Sequence, residues 1–126
     1  MGQLEKRKIL VIDDSETNLV LLQAVLEDAG YDVILMDNSR KAIDYIKQHK
    51  PDLILLDLFM PEMDGFDFMR RLSNGSNSLP YAVLIVTAYS NRENNEKAKK
   101  MGALDVIHKP VNISSLLLSV KQILNY

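Results

Sequence analysis

The chain has 126 residues, 47% of them apolar and 25% charged, with a net charge of −2, which fits one domain with one full core. Without a basic excess it is not expected to bind nucleic acid directly, and without cysteine it has no disulfide, thiolate catalysis or sulfur-bound zinc. No signal-like segment occupies Met1–Lys8 and no apolar run reaches membrane-spanning length, so the expectation is a single domain over 1–126 (folded core about 7–125) in the cytoplasm, away from membranes.

The first element is Ile9-Leu10-Val11-Ile12, a continuous apolar block closed by Asp13-Asp14. Such a block suits a strand buried on both faces, as in a parallel sheet covered by helices. Asn18–Ala29 places Leu19, Leu22 and Leu26 on one helical face, with Leu21 and Val25 beside it and Gly30 as a stop. Asp32–Met36 reads as a second strand. Ser39–His49 carries Ala42, Ile43 and Ile46 at helical spacing, and Pro51 prevents its continuation. Leu53-Ile54-Leu55-Leu56 repeats the buried-strand pattern and ends on Asp57. Asp64–Leu72 holds Phe66, Met69 and Leu72 on a helix face, and Ser73–Ser78 is a surface loop by composition. Ala82–Val86 is a fourth strand ending at Thr87. Asn91–Lys100 is nearly all polar, with Ala98 its chief apolar residue, and predicts a weakly anchored helix. Val106–Ile107 is a short fifth strand leading to His108-Lys109-Pro110. Asn112 then caps a helix striped by Ile113, Leu116, Leu117, Val120, Ile123 and Leu124.

Strand and helix alternate five times, which implies parallel β-α-β crossovers and an open α/β sheet with helices on both faces. Strand order is not fixed by this pattern; 2-1-3-4-5 is one common solution, with ligands outside the carboxyl ends of the strands.

Those ends carry the chemistry. Asp13, Asp14 and Asp57 would converge if the first and third strands are neighbours. Three close carboxylates must share a proton or a cation. An oxygen-only set suits a hard cation such as Mg²⁺, which keeps waters and accepts phosphate oxygens as further ligands. Thr87 adds a hydroxyl donor and Lys109 a compact positive charge, the parts needed to stabilise an in-line phosphoryl transfer with Asp57 as nucleophile. Taken singly each residue has a plainer role: an aspartate after a strand usually caps a helix, a threonine suits a strand and a lysine is usually solvated. The joint placement of five suitable residues at four strand ends is what points to a site.

Several segments together match a known pattern. They are Lys8-Ile9-Leu10-Val11-Ile12-Asp13-Asp14, Pro51-Asp52-Leu53-Ile54-Leu55-Leu56-Asp57, Met60-Pro61-Glu62-Met63-Asp64-Gly65, Val86-Thr87-Ala88 and His108-Lys109-Pro110. In these and in their spacing the chain resembles, over nearly its whole length, the receiver domains of two-component response regulators. The resemblance implies the flavodoxin-like receiver fold, with five parallel strands in the order 2-1-3-4-5. It implies Asp57 as phosphoacceptor, and Asp13, Asp14 and Asp57 with the backbone carbonyl of Phe59 around Mg²⁺, or Mn²⁺ in its place. Thr87 would be the switch hydroxyl, Ala88 the small residue beside the phosphate and Lys109 the phosphate-binding lysine. Lys109–Pro110 would be cis and Gly65 the turn residue after the third strand. The implied partners are a sensor histidine kinase or histidine phosphotransfer domain as donor, and a downstream protein or fused effector as target.

The chain departs from the pattern at Val106, where many members carry Tyr or Phe. Tyr89 is a candidate substitute reporter, although a loop aromatic at the pocket rim is the plainer reading. Phe59 and Tyr89 are expected to flank the path of attacking water. The methionines read as packing residues, and His49 and His108 receive no role. Two other readings compete. A flavodoxin-like nucleotide or flavin domain is opposed by the acidic Asp13-Asp14-Ser15-Glu16 and the lack of a glycine-rich fingerprint. A receiver-like binding module without phosphorylation is opposed by the complete set of acidic, hydroxyl and lysine residues.

Overall fold

The computed structural model describes residues 6–74 and 78–125. In chain order the elements are β1 (Lys8–Ile12), α1 (Glu16–Asp28), β2 (Asp32–Met36), α2 (Ser39–His49), β3 (Leu53–Leu56), α3 (Gly65–Ser73), β4 (Val83–Thr87), α4 (Arg92–Lys100), β5 (Asp105–His108) and α5 (Ile113–Leu124). The strands form one parallel sheet in the order β2-β1-β3-β4-β5, the order that the resemblance implied.

The continuous apolar blocks are explained by two cores. Successive strand residues point to opposite faces. Leu10 and Ile12 join Ile54 and Leu56 beneath α2, α3 and α4. Ile9 and Val11 join Leu53 and Leu55 beneath α1 and α5. Every residue of β3 and β4 is buried, whereas the edge strands β2 and β5 are only partly covered. Phe68, which the sequence did not single out, is the largest fully buried side chain.

Register fixes the functional end of the sheet. Ile12 lies beside Leu56, and Leu56 beside Ile85. The ladder continues one residue past the strands: Asp57 N–H donates to the Ile12 carbonyl (3.1 Å), and Lys109 N–H to the Thr87 carbonyl (2.9 Å). The side chains that matter therefore project from hydrogen-bonded backbone rather than from free loops.

Helix starts follow their caps. Ser15, Asn38, Asp64, Asn91 and Asn112 each accept a backbone N–H from the first turn. This shifts three expected boundaries. α1 begins at Glu16 rather than Asn18, because Ser15 Oγ accepts from Asn18 N–H; Asp64 and Asn91 stand just outside the helices they were expected to open. β4 is shifted by one residue toward the site, to Val83–Thr87, and β5 covers Asp105–His108, one residue longer at each end than expected. Gly30 (φ 99°) ends α1 as expected. Of the polar loop expected at 73–78, Ser73 closes α3, Asn74 caps it and Ser78 is exposed; 75–77 lie outside the described residues.

Gly65 is not a turn residue. It opens α3 without a positive φ; the left-handed residue of this connection is Glu62 (φ 73°). A Cβ on Gly65 would lie 2.8 Å from both the Asp57 carbonyl oxygen and Leu58 Cα. The glycine lets the start of α3 press onto the backbone that carries Asp57, where Gly65 N–H donates to the Leu58 carbonyl (2.5 Å). Because both obstructing atoms are backbone, Gly65→Ala is expected to destabilise the protein by about 1–3 kcal/mol, read as a lower urea midpoint.

Candidate functional site

The strand ends bring the predicted residues together. Asp13 and Asp57 are almost fully buried and Asp14 is exposed. One carboxylate oxygen from each lies within 4.8 Å of the others. Lys109 reaches in from the end of β5: its Nζ donates to Asp13 Oδ2 at 2.7 Å and to Asp57 Oδ2 at 3.1 Å. Asp13 is held further by the Ser15 N–H, which donates to its Oδ1 at 2.9 Å. One lysine thus spans two strands, across sequence separations of 96 and 52 residues.

Burial alone would lower the Lys109 pKa. The hydrogen bond to Asp13 and the charges of Asp57 and Asp13 outweigh it, so the pKa is raised. Lys109 is therefore a fixed cation at neutral pH.

Asp57 Oδ1 is buried and has no hydrogen-bond partner among the described residues. A buried carboxylate oxygen without a donor is costly. An orphaned oxygen, two neighbouring carboxylates and an all-oxygen donor set together fit a small divalent cation.

Thr87 is fully buried at the end of β4. Its Oγ1 accepts the Tyr89 N–H at 3.1 Å, which leaves the hydroxyl hydrogen available to donate. Ala88 is exposed beside it. The Tyr89 carbonyl in turn accepts from Asn94 Nδ2 in α4 at 2.8 Å. Sequence reasoning missed this link from Thr87 to α4; the asparagines at 91, 94 and 95 were its signal. The Lys109–Pro110 peptide is cis, as expected.

Phe59 and Tyr89 do meet at the rim. Both are exposed, and their rings stand edge to face with centroids 5.0 Å apart. Phe59 also contacts Phe66 of α3 (6.2 Å, edge to face). Val106 packs, half-buried, against the core beneath α4 and offers no ring that could follow Thr87.

With this geometry, comparison with known proteins is decisive. Residues 9–121 match the family model for the response regulator receiver domain. The chain belongs to this family. The receiver domain is 33% identical over 117 residues to Protein PilH of Pseudomonas aeruginosa, covering 93% of this chain and 97% of PilH. It is 38% identical over 120 residues to the transcriptional regulatory protein ZraR of Klebsiella oxytoca, covering 95% of this chain but only 27% of ZraR. It thus spans nearly all of one relative and about a quarter of the other. A crystal structure of a two-component response regulator from Clostridium difficile superimposes with a TM-score of 0.86 at 29% identity, over 95% of this chain and 97% of that one. The receiver domain is accordingly a phosphoacceptor module of two-component signalling, and the flavin or nucleotide reading is not favoured.

Two outcomes follow from the lysine bridge. Lys109→Met leaves its two buried carboxylates uncompensated and is expected to lower stability by about 3 kcal/mol in metal-free buffer, with added Mg²⁺ restoring more in the variant than in the parent; urea titrations with and without EDTA read both. Since the Lys109 pKa is raised in the fold, its contribution is fully present below the ordinary lysine value of 10.5 and is lost as pH rises through the folded value. Chemical denaturation across alkaline pH checks the sign: the parent should lose more stability than Lys109→Met.

Proposed function

We propose that Asp57 is the phosphoacceptor of this receiver, with Lys109, Thr87 and the acidic residues as its supporting groups. The supporting observation is the Lys109 bridge from Asp13 to Asp57 beside the orphaned Asp57 Oδ1. Asp13, Asp14 and Asp57, with the carbonyl of Phe59, would hold Mg²⁺ or Mn²⁺. Bound there, the cation neutralises carboxylate charge and offers coordination sites to phosphoryl oxygens.

The chain's own groups account for the rest. An Asp57 carboxylate oxygen attacks the phosphorus of a phosphohistidine on a sensor kinase or phosphotransfer domain. The O–P bond forms as the N–P bond breaks, and the departing imidazole keeps the electron pair. Lys109 is close enough to shift one of its N–H groups from carboxylate to phosphoryl oxygen without moving its backbone. Thr87 donates its hydroxyl hydrogen to another phosphoryl oxygen, and Ala88 adds no bulk beside it. Water then attacks the phosphorus of the acyl phosphate; the P–O bond to Asp57 breaks, which returns the free carboxylate and releases inorganic phosphate. The turnover is self-directed, so the signalling output is the change of state, with inorganic phosphate as its by-product.

That change begins at Thr87. Turning its oxygen toward a phosphoryl group breaks the acceptor bond to Tyr89 N–H, which loosens the Tyr89–Asn94 tie to α4. Ligand charge at the strand ends would thereby shift the population of α4 arrangements. The readout is a downstream protein or a fused effector, and the setting is the cytoplasm, with residues 1–126 acting as one domain.

Incubation with acetyl phosphate and Mg²⁺ should add one phosphoryl mass to the intact protein, and Asp57→Asn should not acquire it. An adduct that persists in Asp57→Asn would reject the assignment. The Phe59–Tyr89 pair, two residues beyond Asp57 and Thr87 respectively, is the screen we propose against attacking water. Phe59→Asn should therefore speed dephosphorylation by about tenfold, equivalent to about 1.4 kcal/mol, in a chase followed by intact mass; an unchanged lifetime would show that the rings are no barrier.

A further inference from the structure

α4 reads Arg-Glu-Asn-Asn-Glu-Lys-Ala-Lys-Lys and buries only Ala98. A helix seated on one methyl group leaves much of the space to its neighbour unfilled. α3 packs on α2 and has no comparable contact with α4. Between α3 and α4 lies an open groove of about 820 Å³. Half-buried Met101, with the fully buried Met69 beneath it, forms its apolar floor; Arg70, Arg92, Lys97 and Lys100 line it, together with Glu93 and Glu96.

We propose that this groove docks an acidic amphipathic helix of a partner protein. The proposal goes beyond the phosphoacceptor reading and does not rest on it. The occupant supplies the apolar stripe that α4 lacks, and methionine floors adapt to such stripes because the thioether chain is flexible and polarisable. Charge selects its sign. Arg92 is held by Glu96 (3.1 Å) and Arg70 by Asp67. Lys97 lies over the Phe66 ring, 4.2 Å from its centroid, and neither it nor Lys100 has a carboxylate partner among the described residues. Two cations one turn apart, at i and i+3, therefore stand ready at the C-terminal half of the groove, with their stems extending the apolar wall.

The acidic groups decide between occupants. Glu93 and Glu96 line the same groove. A compact polyanion or a nucleic-acid backbone would bring phosphates against them. A helix can set its carboxylates over Lys97 and Lys100 and present other residues to Glu93. The opposite side of α4 is already engaged, since Lys99 pairs with Asp105 of β5 (3.6 Å).

The test uses the whole unphosphorylated protein in metal-free buffer, so that it is separate from the fate of Asp57. The probe is a synthetic helical peptide with leucines at i, i+3, i+4 and i+7 flanked by glutamates, titrated while backbone amide shifts are followed. Saturable, salt-sensitive shifts at Arg70, Ser73, Lys97, Lys100 and Met101 are expected. The double variant Lys97→Glu/Lys100→Glu should weaken binding by about tenfold or more, and Lys99→Glu should leave it unchanged. The proposal is overturned if no saturable shift appears, if the shifts centre on Lys99 and Asp105, if Lys99→Glu weakens binding equally, or if a lysine-flanked peptide or a single-stranded oligonucleotide binds as well.

Discussion

A single ammonium group, Lys109 Nζ, makes the carboxyl end of the sheet tenable. It touches carboxylates that belong to β1 and β3 while its own backbone is tied to β4. Two like charges about 4 Å apart repel by roughly 4 kcal/mol at an effective dielectric of 20, and here three carboxylates lie within 4.8 Å. The sheet forces them together, because Asp57 N–H completes the ladder to Ile12 and the chain leaves β1 straight into Asp13-Asp14. The compensating charge must therefore be fixed by the same sheet. An edge strand can carry it only if its register is locked, and the bond from Lys109 N–H to the Thr87 carbonyl does so. Fold and site are held by one set of backbone bonds.

Much of this is readable from residue type. Ile9–Ile12 and Leu53–Leu56 are apolar without alternation because each face of the sheet meets its own helical layer. Asn112 and the Ile113–Leu124 stripe give α5 to the residue, since a cap and a period act locally. The convergence of Asp13, Asp14, Asp57, Thr87 and Lys109 follows once the strand order is known. That order comes from the motif resemblance rather than from hydrophobic pattern, which fits several arrangements equally well.

What stays hidden in the sequence depends on distances between segments. Gly65 is a turn glycine by the resemblance, yet its role is to let two backbones approach. Phe68 sits beside Asp67 and before Arg70 and gives little sign that it will be wholly enclosed. The α3–α4 groove is implied by the poverty of Arg92–Lys100 in apolar residues, but only coordinates show that α3 does not close the gap. The orphaned Asp57 Oδ1 is likewise a property of packing.

The bond from Tyr89 N–H to Thr87 Oγ1 is one restraint that Thr87 gives up if its oxygen turns. A single neutral hydrogen bond contributes about 0.5–1.5 kcal/mol net, which corresponds to a bias of roughly twofold to about tenfold between two arrangements. Val106 provides no second, bulky element to reinforce that bias. A hydroxyl held this lightly can change place at small cost, so a ligand needs only a several-fold preference for one arrangement to alter their proportion.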